Sequence, residues 1–474
     1  MRPVGGVRQT RAVTTAQGPA DPRDTPPAPS GAASPGAPPS ARAAPDPADL
    51  PALRRRTTAV LVVSQILGGL GVAIGVALSS VLSQEVGGSA AVAGLGPTAA
   101  VLGTALLSVP LAALMAARGR RPGLTLAYAI GAAGGGLTVL AAVAGSFPLL
   151  LLGMALFGAA SSANLQARFA AADLAPAERR ARAISTVVWA TTVGAVLGPN
   201  VAAPAGRSVT GLGIPPAAGP FLWAAAVFLL CALVVAVLLR PDPLLTARAL
   251  AGESASPGRA GSLRAGLAAV AESRPARLAL VTVATAHTAM VAVMVMTPVD
   301  LAHHGADIEL IGLVISGHIA GMYAFSPLMG RLSDRAGRLP VIALALGLVA
   351  VATLLAGTAG GAHGRTAAGL FLLGLGWSAG LVSGSALLTD SVPQSARAAV
   401  QGLSDLAMNA SAGVGGVVAG LVVAGAGYGR LNALAALLLL PAAVLTLRLR
   451  FRPGPGGPPP AVSAGRGAPG GEEG

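Results

Sequence analysis

Twelve stretches of this chain stay apolar for roughly the 20 residues that a helix needs to cross about 30 Å of hydrocarbon. They run near residues 57–79, 91–117, 123–144, 148–172, 184–204, 218–239, 278–301, 308–330, 340–358, 366–390, 399–424 and 428–449. A helix satisfies its own backbone hydrogen bonds, as the interior of a bilayer demands, so the spacing predicts an all-α membrane protein with twelve transmembrane helices. Composition agrees: 53% of the 474 residues are hydrophobic and 11% charged, too little charge to cover a soluble protein of this length. Gly 65 suits helices that pack closely in lipid, where small residues let backbones approach.

The net charge of +14 raises nucleic-acid binding, but the arginines fall between the spans. Arg54, Arg55 and Arg56 precede span 1, Arg118, Arg120 and Arg121 separate spans 2 and 3, and Arg179, Arg180 and Arg182 separate spans 4 and 5. The central segment, Arg331, Arg335 and Arg338, then Arg397, and finally Arg448, Arg450 and Arg452 continue the alternation. Short cytoplasmic loops retain arginine, so nucleic acid is excluded as a partner. Both termini are expected in the cytoplasm, with a multi-pass chain in the cytoplasmic (cell) membrane and the lipid bilayer as its solvent. A lone Cys231 excludes an intramolecular disulfide and a cysteine-rich metal site. No removable signal peptide is read, and the first helix is expected to direct insertion.

Laying residue n over n+217 or n+218 matches Asp173, Pro176, Arg180 and Ala181 with Asp390, Pro393, Arg397 and Ala398, and Gly119, Arg120 and Pro122 with Gly337, Arg338 and Pro340. Two copies of one six-helix unit follow. The expected organisation is a disordered N-tail (1–52), a first bundle (53–239), a cytoplasmic linker (240–277), a second bundle (278–452) and a disordered C-tail (453–474). Parallel repeats of this kind place a polar site between the halves near the bilayer midplane.

Gly330-Arg331-Leu332-Ser333-Asp334-Arg335-Ala336-Gly337-Arg338 resembles the loop signature G-x-L-x-D-R-x-G-R of the Major Facilitator Superfamily, and the resemblance covers about residues 54–452. It implies two pseudo-symmetric six-helix bundles and secondary active transport of a small-molecule substrate by alternating access. It also implies a monomer without cofactor or metal that is not an enzyme. Gly330 is expected to let spans 8 and 5 approach, Asp334 to face the N-terminus of span 5, whose dipole favours an anion, and Arg338 to pair with Asp390. Arg335, Gly337, Arg120 and Asp173 complete the candidate gating set. In the first-half copy, Ala112, Ala116 and Ala117 replace the motif's Gly, Asp and Arg. Asp405 in span 11 is therefore expected to supply the missing anion by pairing with Arg118 or Arg120. Gly194, Gly198 and Pro199 in span 5 resemble the bend signature of the superfamily's antiporters, whereas Met154 stands where proton-coupled exporters often place an arginine.

Polar groups within hydrocarbon cost roughly 2.5–3.5 kcal/mol when ionisable, so each marks a candidate site. His287 and His318 lie near the midplane and are candidate proton-coupling groups. Gln65, Thr191, Thr192, Asn409 and Ser411 are expected to line the cavity, with Trp189 and Trp377 as stacking candidates. Met290, Met294 and Met296 read as packing rather than a soft-metal path, and His303 and His304 as a solvated loop. There is no nucleotide-binding P-loop and no nucleophile motif. The leading expectation is a secondary active transporter of a small solute, with export of drug-like compounds coupled to protons as the first reading of direction and coupling. An uptake symporter or uniporter of a small metabolite is the alternative, and a non-transporting sensor of the same fold is the reading from another class.

Overall fold

The computed structural model describes residues 49–89, 92, 94–251 and 263–450. The expectations for residues 1–48, for 252–262 in the linker and for the tail from 453 onward lie outside the described residues, as do the side chains of Pro199 and Asn200.

The first bundle consists of α1 (Leu50–Ala77), the short α2 (Ser79–Gly87), α3 (Leu95–Arg118), α4 (Arg120–Ala144), α5 (Phe147–Asp173), α6 (Arg180–Ser208) and α7 (Gly219–Leu238). α8 (Pro243–Leu250) and α9 (Leu263–Glu272) lie in the linker. The second bundle follows with α10 (Arg274–His303), α11 (Ile308–Tyr323), α12 (Ser326–Ala336), α13 (Arg338–Gly357), α14 (His363–Asp390), α15 (Arg397–Leu437) and α16 (Leu440–Arg450). α1 takes in Leu50, Pro51 and Ala52, which the sequence reading assigned to the tail.

Span 8 is broken and spans 11 and 12 are run together, each for a local reason. Span 8 divides into α11 and α12 at Phe325, where Pro327 in the first turn of α12 has no N–H to continue the ladder. Residues 394–449 form one helical run of 56 residues. Unbroken, this would measure about 84 Å, nearly three hydrocarbon thicknesses. Gly427, at φ +82° and ψ 167°, turns it back, a conformation open only to glycine. Among the described residues, the eleven apolar runs long enough to cross a membrane thus become twelve crossings.

The repeat is visible in the backbone. Gly119 and Gly337, 218 residues apart, adopt φ 96°, ψ 171° and φ 93°, ψ 164°, and each is followed at once by the arginine that opens the next helix. One buried core gathers around Tyr128, Phe157, Phe221 and Phe228 of the first bundle; the other, around Val283, Leu346, Leu373 and Trp377 of the second, also takes in Ala181, Ile184 and Val188 of α6.

Helices within a bundle meet at glycines. A methyl group on Gly103 of α3 would overlap the backbone carbonyl of Ala155 on α5. Overpacking of this kind costs about 1–3 kcal/mol, so Gly103→Ala is expected to lower stability by that amount in denaturant unfolding of the purified protein. Gly136→Ala, where a methyl meets no atom within 4 Å, is expected to lose nothing. Equal stabilities for the two variants would contradict this packing.

Candidate functional site: a cavity between the bundles and the locks beneath it

A cavity of about 340 Å³ lies where the bundles face each other. The first bundle lines it with Gln65, Thr104, Asn164, Arg168, Val187, Val188 and Thr191. The second contributes His287, Met322, Tyr323, Trp377, Leu381, Met408 and Asn409. Its polar groups are held in place by one another. Gln65 Nε2 donates to Thr191 Oγ1 at 2.8 Å, tying α1 to α6, and Tyr128 Oη donates to Asn164 Oδ1 at 2.8 Å. Trp377 Nε1 donates to His287 Nδ1 at 2.8 Å. Because the indole nitrogen only donates, a neutral His287 carries its proton on Nε2. Tyr323 meets the Trp377 ring edge-on, with centroids 5.6 Å apart at 80°.

Below the cavity, toward the arginine-rich face, a buried polar network crosses from one bundle to the other. Arg168 Nη2 donates to Asp405 Oδ1 at 2.7 Å, and Gln166 Nε2 donates to Asp405 Oδ2 at 2.6 Å. Arg120 reaches Asp173 through Nε at 2.7 Å and Nη2 at 3.3 Å, donates to Gln166 Oε1 at 3.0 Å, and also donates to Gln401 of α15. The side chains of Arg120, Asp173 and Asp405 are fully buried and that of Arg168 is 2% exposed. Two arginines and two aspartates balance, as buried charges must.

A second lock joins α6 to α12. Asp334 accepts from the backbone N–H groups of Ala181 at 3.1 Å and Arg182 at 2.9 Å, in the first turn of α6. It also accepts from Arg338 Nη1 at 2.6 Å. Arg338 Nε donates to Asp390 at 3.1 Å and its Nη2 to the Ala177 carbonyl at 2.6 Å, while Arg180 also pairs with Asp390. Ser326 Oγ donates to the Ser185 carbonyl at 3.1 Å. Gly330 lies so close to α6 that a methyl group there would overlap Ser185.

Of the residues expected to line the cavity, Gln65, Thr191, His287, Trp377 and Asn409 do so, and four do not. His318 is fully buried against α14, where its Nδ1 meets the Leu370 carbonyl at 2.8 Å. There Gly374 brings the α14 backbone onto that of α11 and leaves no room for a cavity between them. Ser411 sits two residues from Asn409, hence on the opposite face of α15, and accepts from Thr288 in a groove between α10 and α15. Trp189, two residues from Thr191, points away from the cavity and is 41% exposed. Thr192 lies about 100° further round α6 from Thr191. The pairing expected for Asp405 is corrected as well: its salt bridge is to Arg168, while Arg120 is neutralised within its own bundle by Asp173. Asp405 lies more than two turns into α15, level with Arg168 rather than with the loop arginines. The sequence reading passed over Arg168 and Gln166 because they fall near the end of an apolar span. An arginine inside that span was nonetheless the available signal.

Two bundles related by a repeat, with a cavity between them and charged locks at one end, define a carrier architecture, and a family comparison settles which. The family model described as Major Facilitator Superfamily matches residues 60–301 and again 278–469. The chain belongs to the Major Facilitator Superfamily. It is 38% identical over 401 residues to the uncharacterized MFS-type transporter YdeG of Bacillus subtilis, covering 83% of this chain and 92% of that one. It is 31% identical over 409 residues to the riboflavin transporter RfnT of Brucella anthropi, covering 84% and 96%. In fold it is similar to the human organic anion transporter MFSD10, with a TM-score of 0.66 at 18% identity over 83% of this chain and 99% of that one. As an MFS protein it is a multi-pass membrane transporter of the superfamily's all-helical fold.

Proposed function

We propose that this MFS protein is a secondary carrier for a small planar organic solute, bound in the cavity between the bundles and released by alternating access. The observation that carries the reading is the cavity itself. At about 340 Å³ it falls at the lower end of the range for small-ligand sites, roughly 300–1,000 Å³. Trp377, Tyr323 and His287 offer ring faces and edges for stacking, while Gln65, Asn164 and Asn409 offer amides to a heteroatom-bearing ring. The name of the relative RfnT makes riboflavin the first probe. By the positive-inside rule the arginine-rich face is cytoplasmic. Among the described residues, eight hydrogen bonds join the bundles there and must break for the cavity to open toward the cytoplasm.

The test is flux of riboflavin and of a panel of planar heterocycles into and out of proteoliposomes, with and without a pH gradient. Saturable flux is expected, with Trp377→Ala weakening apparent affinity at least about tenfold through loss of stacking and of the His287 hydrogen bond. Absence of saturable flux for every probe, with folded protein in the bilayer, would sink the reading.

A second reading, proton-driven export of drug-like compounds, is favoured by the packing of Gly194 and Gly198. Side chains at these positions would overlap Leu70 and Ala73 of α1, so the α6 ridge that resembles the antiporter signature lies directly on α1. Flux driven outward by an inward proton gradient supports it, and flux indifferent to pH removes it.

A further inference from the structure

Beside the α6 lock lies a second cavity, about 530 Å³ in volume, at the arginine-rich end of α1. Four arginines line it, Arg54 and Arg55 from α1, Arg179 from the turn after α5, and Arg182 from α6, together with the hydroxyls of Thr58 and Thr186. No aspartate or glutamate is among its lining residues.

This sets the four apart from the arginines of the two locks. Arg120, Arg168, Arg180 and Arg338 each have a carboxylate partner, whereas none of the four pocket arginines is in such a pair among the described residues. Arg54 Nε donates to the Leu174 carbonyl at 2.8 Å, which satisfies a donor without neutralising the charge. Arg182 Nε is buried without any hydrogen-bond partner. Four like charges converging on one concavity repel one another, and an unmade buried hydrogen bond costs about 1–3 kcal/mol. Both are relieved by one multivalent oxygen anion, and phosphate oxygens match the guanidinium fork.

Depth decides which phosphate. Arg54 and Arg55 stand immediately before the apolar run that starts near residue 57, so the pocket opens at headgroup level. Its other walls include Ala59, Ala171 and Ala183, apolar surface of the kind an acyl chain covers. A soluble phosphate has no use for that surface.

We propose that this pocket binds the phosphate of an anionic phospholipid, clamped between α1, the α5–α6 turn and α6. The occupant would tie together elements that otherwise carry unbalanced charge, so it is expected to stabilise the fold.

The test is thermal unfolding of the full chain in detergent with added phosphatidylglycerol, phosphatidylcholine, or inorganic phosphate at matched concentration. It compares wild type with Arg55→Gln/Arg179→Gln and with a charge-matched control, Arg118→Gln/Arg264→Gln. All four of these arginines are exposed, so folding is expected to survive. Single Arg179→Gln, scored by retained phosphatidylglycerol in native mass spectrometry, serves if the pocket double does not fold. Phosphatidylglycerol is expected to raise the melting temperature of wild type and control, with more than half of the rise lost in the pocket double. Phosphatidylcholine and inorganic phosphate are expected to leave wild type unmoved. An equal rise in the pocket double, an equal rise with phosphatidylcholine, or the same retention in Arg179→Gln as in wild type overturns the site. A rise with inorganic phosphate matching that with phosphatidylglycerol overturns its assignment to lipid.

Discussion

Asp405→Ala is expected to lower folding stability by about 3–5 kcal/mol, the cost of leaving a buried guanidinium without its counter-ion. Arg168 is 2% exposed and Asp405 fully buried. The truncation strips Arg168 of its carboxylate and Gln166 of its acceptor, and water has little access to replace either. Removing both charges is a different experiment. Arg168→Met with Asp405→Leu is expected to recover most of the loss, because a buried ion pair replaced by apolar groups of similar volume is often neutral or better. The same double variant is expected to remain defective in flux, since Arg168 lines the cavity and the exchange of its partner is available to the cycle only while the charge is present. Denaturant unfolding and proteoliposome flux on the three variants separate the two roles. An Asp405→Ala protein as stable as wild type would contradict the coupling drawn between α5 and α15.

Asp334→Ala is expected to shift the conformational balance rather than the fold. The carboxylate accepts three hydrogen bonds, two of them from backbone N–H groups in the first turn of α6. Losing charge-assisted bonds at a nearly buried site costs about 2–3 kcal/mol, and it falls on the state in which α6 and α12 touch. The equilibrium then shifts roughly 30- to 160-fold toward the state open on the arginine-rich side. Ser326, buried at this seam with its Oγ on the Ser185 carbonyl, reports on it. In a Cys231→Ser background, Ser326→Cys is expected to be protected from a water-soluble maleimide, and adding Asp334→Ala is expected to speed labelling at least about tenfold. An unchanged rate would mean that Asp334 does not hold the seam.

Both variants bear on how far the sequence could be read. Span number and repeat were legible because apolar length and loop chemistry are local properties. The Gly119 and Gly337 backbones confirm the register that the aligned Gly-Arg pairs suggest. A charge inside an apolar span was legible too, which is why Asp405 stood out. Its partner was not, because α5 and α15 are more than 200 residues apart and nothing local says that they meet. Azimuth failed for a related reason. α6 and α15 carry polar residues on more than one face, so no single amphipathic stripe marks the side that faces the cavity. A residue two positions away, as Trp189 is from Thr191 or Ser411 from Asn409, ends on the far side of its helix. His318 was lost to the closeness that Gly374 permits between α11 and α14, a contact visible only once the helices are placed.

The two seams under the cavity differ in their access to water, and this gives the experimenter a handle. At the α6–α12 seam the side chains of Arg180, Arg338 and Asp390 are 10%, 12% and 25% exposed, whereas Arg168 and Asp405 at the α5–α15 seam are 2% and 0%. Salt weakens exposed pairs more than buried ones, so it is expected to act more on the first set than on the second. Rising ionic strength therefore slackens one edge of the closure before the other. The halves are then expected to part first at the α6–α12 edge, like a door whose hinge is the more deeply buried pair at the α5–α15 seam.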